Sequence, residues 1–289
     1  MRDVVVFGER PVVDIVLDVN AIPRPGDKAL VRAERVVPGG VAENTAATLG
    51  RLGVRTTYVG CGSAGALEQI ALDSLRAAGV DVVTLDGLDG PGVVCYVTVG
   101  ADASRTVLVR LPDDRDRIVA GYGPALAGLA PKVYGIGYLG VLSAPVIEAW
   151  DSVTSLCDRL VCAVEADVDA DLASMTFPAG TVVLCAEESL SDALERLVET
   201  SGIDLVVTCG SRGGRLLRRG QAELAYDAAS GDAPVVDTTG AGDAFAAGLI
   251  AGMAGGRPWE DCLDWGAQVA RAAVESYGPR PVQIPPYPW

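Results

Sequence analysis

The sequence predicts an α/β fold of three layers, a mostly parallel central sheet with helices on both faces. Three observations carry this. Short apolar runs alternate with helical patterns along most of the chain, and that alternation builds a parallel sheet. The runs are apolar throughout rather than at every second residue, the pattern of strands buried on both sides. With 49% of 289 residues hydrophobic and a mean hydropathy of +0.31, there is enough apolar surface for one large domain spanning 1–289.

In chain order, Arg2 to Phe7 reads as a central strand ending at Gly8-Glu9. Pro11 to Leu17 continues extended and carries Asp14 inside an apolar run, where a carboxylate must be hydrogen-bonded or face a ligand. Asn20 to Lys28 is turn-rich, Ala29 to Val37 is a strand, and Pro38-Gly39-Gly40 breaks it. Val41 to Leu52 is then a helix closed by Gly53. Gly40 and Asn44 lie four apart and point the same way at its start. Thr56 to Gly60 and Val80 to Leu85 are strands around a helix from Ala66 to Ala78. Val93 to Val99 and Thr106 to Arg110 flank a polar turn and form a hairpin. Lys132 to Tyr138, Leu160 to Glu165, Thr181 to Ala186 and Ile203 to Cys209 are further strands. Ser189 to Asp192 caps a helix running to Thr200. Pro258 to Ser276 carries the last helix, and the Pro-rich tail from Pro279 to Trp289 is expected along the surface.

Composition also excludes. A net charge of −15 without a basic stripe argues against a nucleic-acid partner. Ala244 to Gly256, the longest low-charge stretch, is too short and Gly-rich to span a membrane, and Met1-Arg2-Asp3 opens no signal peptide, so a cytoplasmic protein is expected. Seven cysteines without a Cys-x-x-Cys pair read as reduced core thiols. The chain has no histidine, which removes Ser-His-Asp and Cys-His nucleophile systems. Any general base must be Asp, Glu, Lys, Tyr or Cys.

The chemistry concentrates in Asp237-Thr238-Thr239-Gly240-Ala241-Gly242-Asp243. A helix that is apolar on nearly every side follows, so Gly240, Ala241 and Gly242 sit at a helix N-terminus. Unpaired N–H groups and the helix dipole favour an anion there, and small side chains let a phosphate approach closely. Asp243 lies in the first helical turn, placed to accept a proton from a hydroxyl beside that anion. A cradle of N–H donors next to a carboxylate base is a phosphoryl-transfer arrangement.

This stretch resembles the C-terminal signature of the ribokinase-like (PfkB) family of sugar and nucleoside kinases. Pro38 to Gly53, Pro-Gly-Gly-Val-Ala-Glu-Asn-Thr-Ala-Ala-Thr-Leu-Gly-Arg-Leu-Gly, resembles the family's other signature, in the family's order and over essentially the whole chain. The resemblance implies an ATP-dependent sugar or nucleoside kinase with Mg²⁺ and K⁺. It also implies a small β lid formed by about residues 10–37 and 91–112, which closes over the acceptor and pairs two subunits in a homodimer. By matched position, Asp14, Gly39, Gly40 and Asn44 bind the acceptor, and Asp243 is the base. Thr208, Gly210, Ser211 and Gly213 form the nucleotide loop, with Gln268 near the adenine. Asp237, Thr239 and Gly278 hold the monovalent cation. Where the family carries Asn-x-x-Glu for Mg²⁺ and its waters, this chain has Cys185-Ala186-Glu187-Glu188; Glu188 keeps the acidic position and Glu187 is its neighbour.

Two other readings follow from residues. The altered Cys185 to Glu188 region suits a non-catalytic sugar or nucleotide sensor on the same fold. Gly60-Cys61-Gly62-Ser63-Ala64-Gly65, followed by a helix, a strand and Asp86, reproduces a dinucleotide-binding fingerprint.

Overall fold

The computed structural model describes residues 3–102, 104–129, 134–140, 143–164 and 175–286. Arg2, Lys132, Val133, Glu165 and the last three residues of the tail, parts of the expected elements above, lie outside them. Thirteen strands are present among the described residues. They are β1 (Val4–Phe7), β2 (Val12–Val19), β3 (Val31–Pro38), β4 (Thr56–Ser63), β5 (Asp81–Gly90), β6 (Val93–Val99), β7 (Arg105–Arg110), β8 (Tyr134–Leu139), β9 (Cys157–Val164), β10 (Val182–Ala186), β11 (Asp204–Thr208), β12 (Gly214–Leu217) and β13 (Leu224–Tyr226). Nine of them form the main sheet, in the order β13-β12-β11-β10-β9-β8-β1-β4-β5. It is parallel from β11 to β5 and antiparallel only at the β11–β12 and β12–β13 edge.

The helices are α1 (Val41–Arg51), α2 (Ala66–Ala77), α3 (Arg115–Ala127), α4 (Ala144–Glu148), α5 (Trp150–Ser155), α6 (Asp192–Ser201), α7 (Ala241–Ala254) and α8 (Trp259–Ala273). They divide over the two faces of the sheet. Strand β1 shows why: Val4 and Val6 enter one core with α1, α2, α7 and α8, while Val5 and Phe7 enter the other with α3 to α6. All four residues are buried. Helix α7 is apolar all round because it is enclosed on that first face, buried from Ala244 to Ala254. Ser191 caps α6 as expected, accepting from Leu194 N–H at 3.3 Å.

The second sheet has the order β3-β2-β6-β7, with β2 and β6 parallel and the outer pairs antiparallel. It unites the expected hairpin with the two strands before Gly39. Its outer strands β3 and β7 are almost wholly exposed. No helix among the described residues is long and apolar enough to cross a membrane.

The start of the tail departs from the surface course expected of it, while Val282, Gln283 and Pro286 are exposed. Pro279 and Pro281 are buried and Arg280 is half-buried. The physical reason is Arg51 of α1, which donates to the carbonyl oxygens of Pro281 and Val282 and draws this segment inward.

Candidate active site

Gly240 caps α7 in the left-handed conformation, φ 74°. A side chain there would overlap the Pro279 carbonyl oxygen, so both backbone angle and packing require glycine. Gly242, two residues on, is exposed, and a Cβ on it would meet nothing within 4 Å. The space above Gly242 is open, as a bound anion requires, and the first N–H groups of α7 have no intrahelical acceptor. Ala241 N–H makes a 3.3 Å contact with Thr238 oxygen.

Asp243 is the third residue of α7. Asn44 Nδ2 donates to its Oδ2 at 2.9 Å, and Thr45 Oγ1 donates to its main-chain oxygen at 3.3 Å. The two sequence motifs, 199 positions apart at Asn44 and Asp243, therefore meet in one hydrogen bond. Asn44 is buried and its side chain faces Asp243 rather than capping its own helix. Asp14 of β2 stands opposite Cys95 of β6 in register. Burial pushes the Asp14 carboxyl above its ordinary value, against a hydrogen bond from Cys95 and the charge of Arg280. A Cβ on Gly39 would lie 2.5 Å from Asp14 Oδ1. Glycine at 39 thus lets the turn before α1 touch the acid of the small sheet, and Asp14, Gly39, Gly40, Asn44 and Asp243 form one neighbourhood.

Two residues of this neighbourhood, Glu43 and Arg280, escaped the sequence reading, and a third, Arg105, is read there only as one of several arginines able to meet an acidic or phosphorylated acceptor. Glu43 is fully buried, accepts from Tyr58 Oη at 2.7 Å, and folds back over Gly40. Burial raises its pKa from 4.5 to about 7, despite the Tyr58 hydrogen bond. Arg280 Nε donates to Asn44 Oδ1 at 3.0 Å. Arg105, at the start of β7, donates to Thr239 Oγ1 at 3.0 Å and so bridges the small sheet to the glycine turn. Glu43 carried a signal, a charged residue on the apolar side of a predicted helix. Arg280 carried none beyond following Gly278 by two positions.

The nucleotide side is more open. Gly210 to Arg212 form a single exposed turn after β11, and Gly213 closes it. Thr208 Oγ1 donates to Cys185 oxygen at 3.4 Å. Gln268 lies across the sheet edge in an open cleft of about 550 Å³ with Tyr226, Ala228, Ser230 and Asp264, and donates to Asp264 at 2.8 Å. Cys185 is buried in β10, Glu187 is paired with Arg212, and Glu188 is exposed. No group of three or more acidic or cysteine side chains able to hold a metal occurs among the described residues. Mg²⁺ keeps several waters and needs few protein ligands when phosphates supply the rest; exposed Glu188 fits such a role.

The residues expected for a monovalent cation fit it less well. Asp237 accepts from Thr239 N–H at 2.9 Å and Gly278 N–H at 3.0 Å. Burial pushes its carboxyl up, but those two donors and the Arg105 charge hold it below its ordinary value. Protein donors and a guanidinium already engage these oxygens. The Gly60 to Gly65 fingerprint fits a pyrophosphate no better. A Cβ on Gly62 would overlap the Asp89 carboxylate, and one on Gly65 the Glu68 carboxylate. Acid side chains stand where an anion would bind.

A parallel sheet between helices, with a glycine-rich helix start and a carboxylate facing a second small sheet, defines a kinase of small molecules. The chain belongs to the pfkB family carbohydrate kinases, whose description matches residues 1–120 and 169–285. Over 91 residues it is 41% identical to the acarbose 7(IV)-phosphotransferase of Actinoplanes sp., and that match spans 30% of each chain. It is 24% identical to a ribokinase of Arabidopsis thaliana over 93% of this chain and 75% of the relative. The solved structure of Arabidopsis thaliana ribokinase complexed with ribose and ATP shares the fold, with a TM-score of 0.71 at 21% identity over 96% of this chain and 94% of that one.

Proposed function

We propose that the chain moves the γ-phosphoryl group of ATP to a hydroxyl of a sugar or sugar-like acceptor. One observation carries the reading: Asn44 donates to Asp243 at the mouth of the Gly240–Gly242 turn, joining an acceptor-side motif to an anion-side motif. Asp14, Gly39, Gly40 and Asn44 hold the acceptor. Asp243 takes the proton of the attacking hydroxyl, and main-chain N–H groups of Gly240, Ala241 and Gly242 meet the charge of the transferring group. Thr208, Gly210, Ser211 and Gly213 face the ATP phosphates, and Gln268 the adenine. Glu188 would hold Mg²⁺ through water, and the ion would neutralise phosphate charge. The small sheet is the lid, excluding water while the acceptor is bound. Leu108 of β7, Tyr96 of β6 and Val36 of β3 stand in one cross-strand row on one of its faces and are exposed, an apolar patch suited to a second copy of the chain. Seven free thiols suit a reducing, cytoplasmic setting.

The test is ADP release across pentoses, hexoses, sugar acids, sugar phosphates and nucleosides, with Mg²⁺ and with or without K⁺. Turnover with a sugar supports the reading, and preference for a nucleoside moves the acceptor to that class. Buried Cys185 favours a second reading, a sensor on the same fold; saturable sugar binding without ADP release would establish it.

A further inference from the structure

Arg280 enters the site from the C-terminal segment and is held from four sides. Its Nε donates to Asn44 Oδ1 at 3.0 Å and its Nη1 to Ser74 Oγ of α2 at 2.9 Å. The preceding carbonyl, of Pro279, lies against Gly240, and the two following carbonyls accept from Arg51 of α1. Residues 279–282 thus touch the glycine bend, the acceptor helix α1 and, through Arg280, Asn44.

The guanidinium is not there to complete an ion pair. Among the described residues no carboxylate lies within salt-bridge distance, and its Nη2 is buried without a partner. Its two hydrogen-bond acceptors are neutral oxygens, and burial opposes its charge. The charged groups that face it are Glu43, Asp243 and Asp14, with Arg51 opposing. Its effect on Asn44 is directional. Arginine only donates, so the amide oxygen must face it; a carboxylate only accepts, so the amide nitrogen must face Asp243. With Arg280 in place the amide has one orientation.

We infer that Arg280 is a positioning residue for phosphoryl transfer: it fixes the Asn44 amide, and Asn44 in turn holds the Asp243 carboxylate in line with the acceptor hydroxyl. This rests on Asp243 being the base, as proposed above. The chain Arg280–Asn44–Asp243 links the tail, the first helix motif and the second by two hydrogen bonds. A carboxylate released from that chain loses its reactive geometry without losing the ability to bind ATP or acceptor.

The test uses the full chain with ATP and the most active of D-ribose, D-fructose, D-gluconate, fructose 6-phosphate and adenosine; water serves as acceptor, through basal ATP hydrolysis, if none is turned over. Arg280→Met should lower kcat by about 10²-fold, the scale of a small misplacement of a reacting group, with the KM for ATP changed by less than about threefold, the melting temperature retained, and any rise in the acceptor KM, which Asn44 also serves, smaller than the fall in kcat. Arg280→Lys, which keeps the charge and the stem, should recover part of the loss. Free guanidinium should restore turnover to Arg280→Gly. Asn44→Ala should cost far less in the Arg280→Met background than in the parent, because the two act in series. Should Arg280→Met fail to fold, Arg280→Lys and the Asn44 coupling measured on it decide the matter. Unchanged kcat, a loss confined to KM, or additive Asn44 and Arg280 effects would each overturn the inference. Asp243→Asn separates the two levels. An active Asp243→Asn removes the base itself, whereas an inert Asp243→Asn beside fully active Arg280 variants removes only the role of Arg280.

Discussion

At one end of the site, Arg280, Asn44 and Asp243 are joined by side-chain hydrogen bonds of 3.0 and 2.9 Å, Asp14 packs on Gly39, and Glu43 is locked to Tyr58. At the other end, Gly210, Ser211 and Glu188 face solvent, Glu187 is tied to a surface arginine, and Thr208 makes only a 3.4 Å contact. The proposed acceptor end is organised by folding itself, and its groups keep their geometry because neighbours fix their rotamers. The nucleotide end offers backbone and a few side chains, and its geometry is completed by what binds. Substitutions at the first end should therefore act on the chemical step, and those at the second on ATP affinity.

The largest expected effect tests that division directly. Asp243→Asn keeps the shape of the side chain but cannot take a proton, and it faces the Asn44 amide donor with another amide. We expect kcat to fall by about 10²–10⁴-fold, the usual contribution of a general base, with ATP binding retained. ADP release and nucleotide titration check it together; a variant that loses ATP affinity as strongly as turnover would erase the distinction between the two ends.

Next come two glycines two residues apart. Gly242→Ala places a methyl where nothing lies within 4 Å, so the melting temperature should hold while turnover falls by about 10²–10³-fold, as for a lost oxyanion donor. Gly240→Ala must adopt φ 74° and displace the Pro279 carbonyl, so it should lower turnover and melting temperature alike. Equal stability losses in both would mean that the space above Gly242 belongs to packing rather than to an anion.

Glu43 ties the acceptor end to pH. Its carboxyl titrates at about 7 in the fold and at 4.5 when unburied, because burial disfavours the charge. A raised acid contributes its full stability below the unfolded value and loses it as pH rises through the folded one. Glu43→Gln has no such loss. At 1.36 kcal/mol per pH unit, the parent should fall behind Glu43→Gln by roughly 3 kcal/mol between pH 4.5 and 8, read from urea unfolding at each pH. Glu9, also raised to about 7 by burial, pushes Glu43 up through its charge, so Glu43→Gln removes that repulsion as well. Parallel stability curves would show that Glu43 is ionised without cost.

The same contrast governs what the sequence made legible. Alternating apolar runs located most strands of the main sheet, since burial on both faces writes itself into every residue of a strand. Gly40 with Asn44 and Gly240 with Asp243 were legible because backbone angle and close approach restrict those positions to few residue types. Their contact with each other was not, for nothing in spacing alone brings residues 44 and 243 together. The contacts of Arg280 and Arg105 were illegible for a related reason. Each works through a long side chain reaching a distant segment: Arg280 follows a proline in a tail that reads as surface, and for Arg105 the partner Thr239, not the residue, was illegible. The buried start of the tail was misjudged on composition, which registered its prolines but not the carbonyls that Arg51 binds.

The smallest expected effect belongs to the open end. Thr208 contributes a hydroxyl whose present partner, the Cys185 carbonyl, is 3.4 Å away, so little stability depends on it. In the proposed complex that hydroxyl turns to the nucleotide. Thr208→Val, which keeps the branched shape, should raise the KM for ATP by up to about tenfold, the worth of one hydrogen bond. The KM for the acceptor and the melting temperature should stay where they are. The prediction is sharp because Thr208 ends β11, one strand from Cys185 on β10, and both strands belong to the rigid sheet. If removing this hydroxyl slowed the chemical step instead, the effect would have to pass through that sheet to Asp243. The nucleotide loop and the base would then be one mechanical unit, and the two ends of the site would differ only in their exposure.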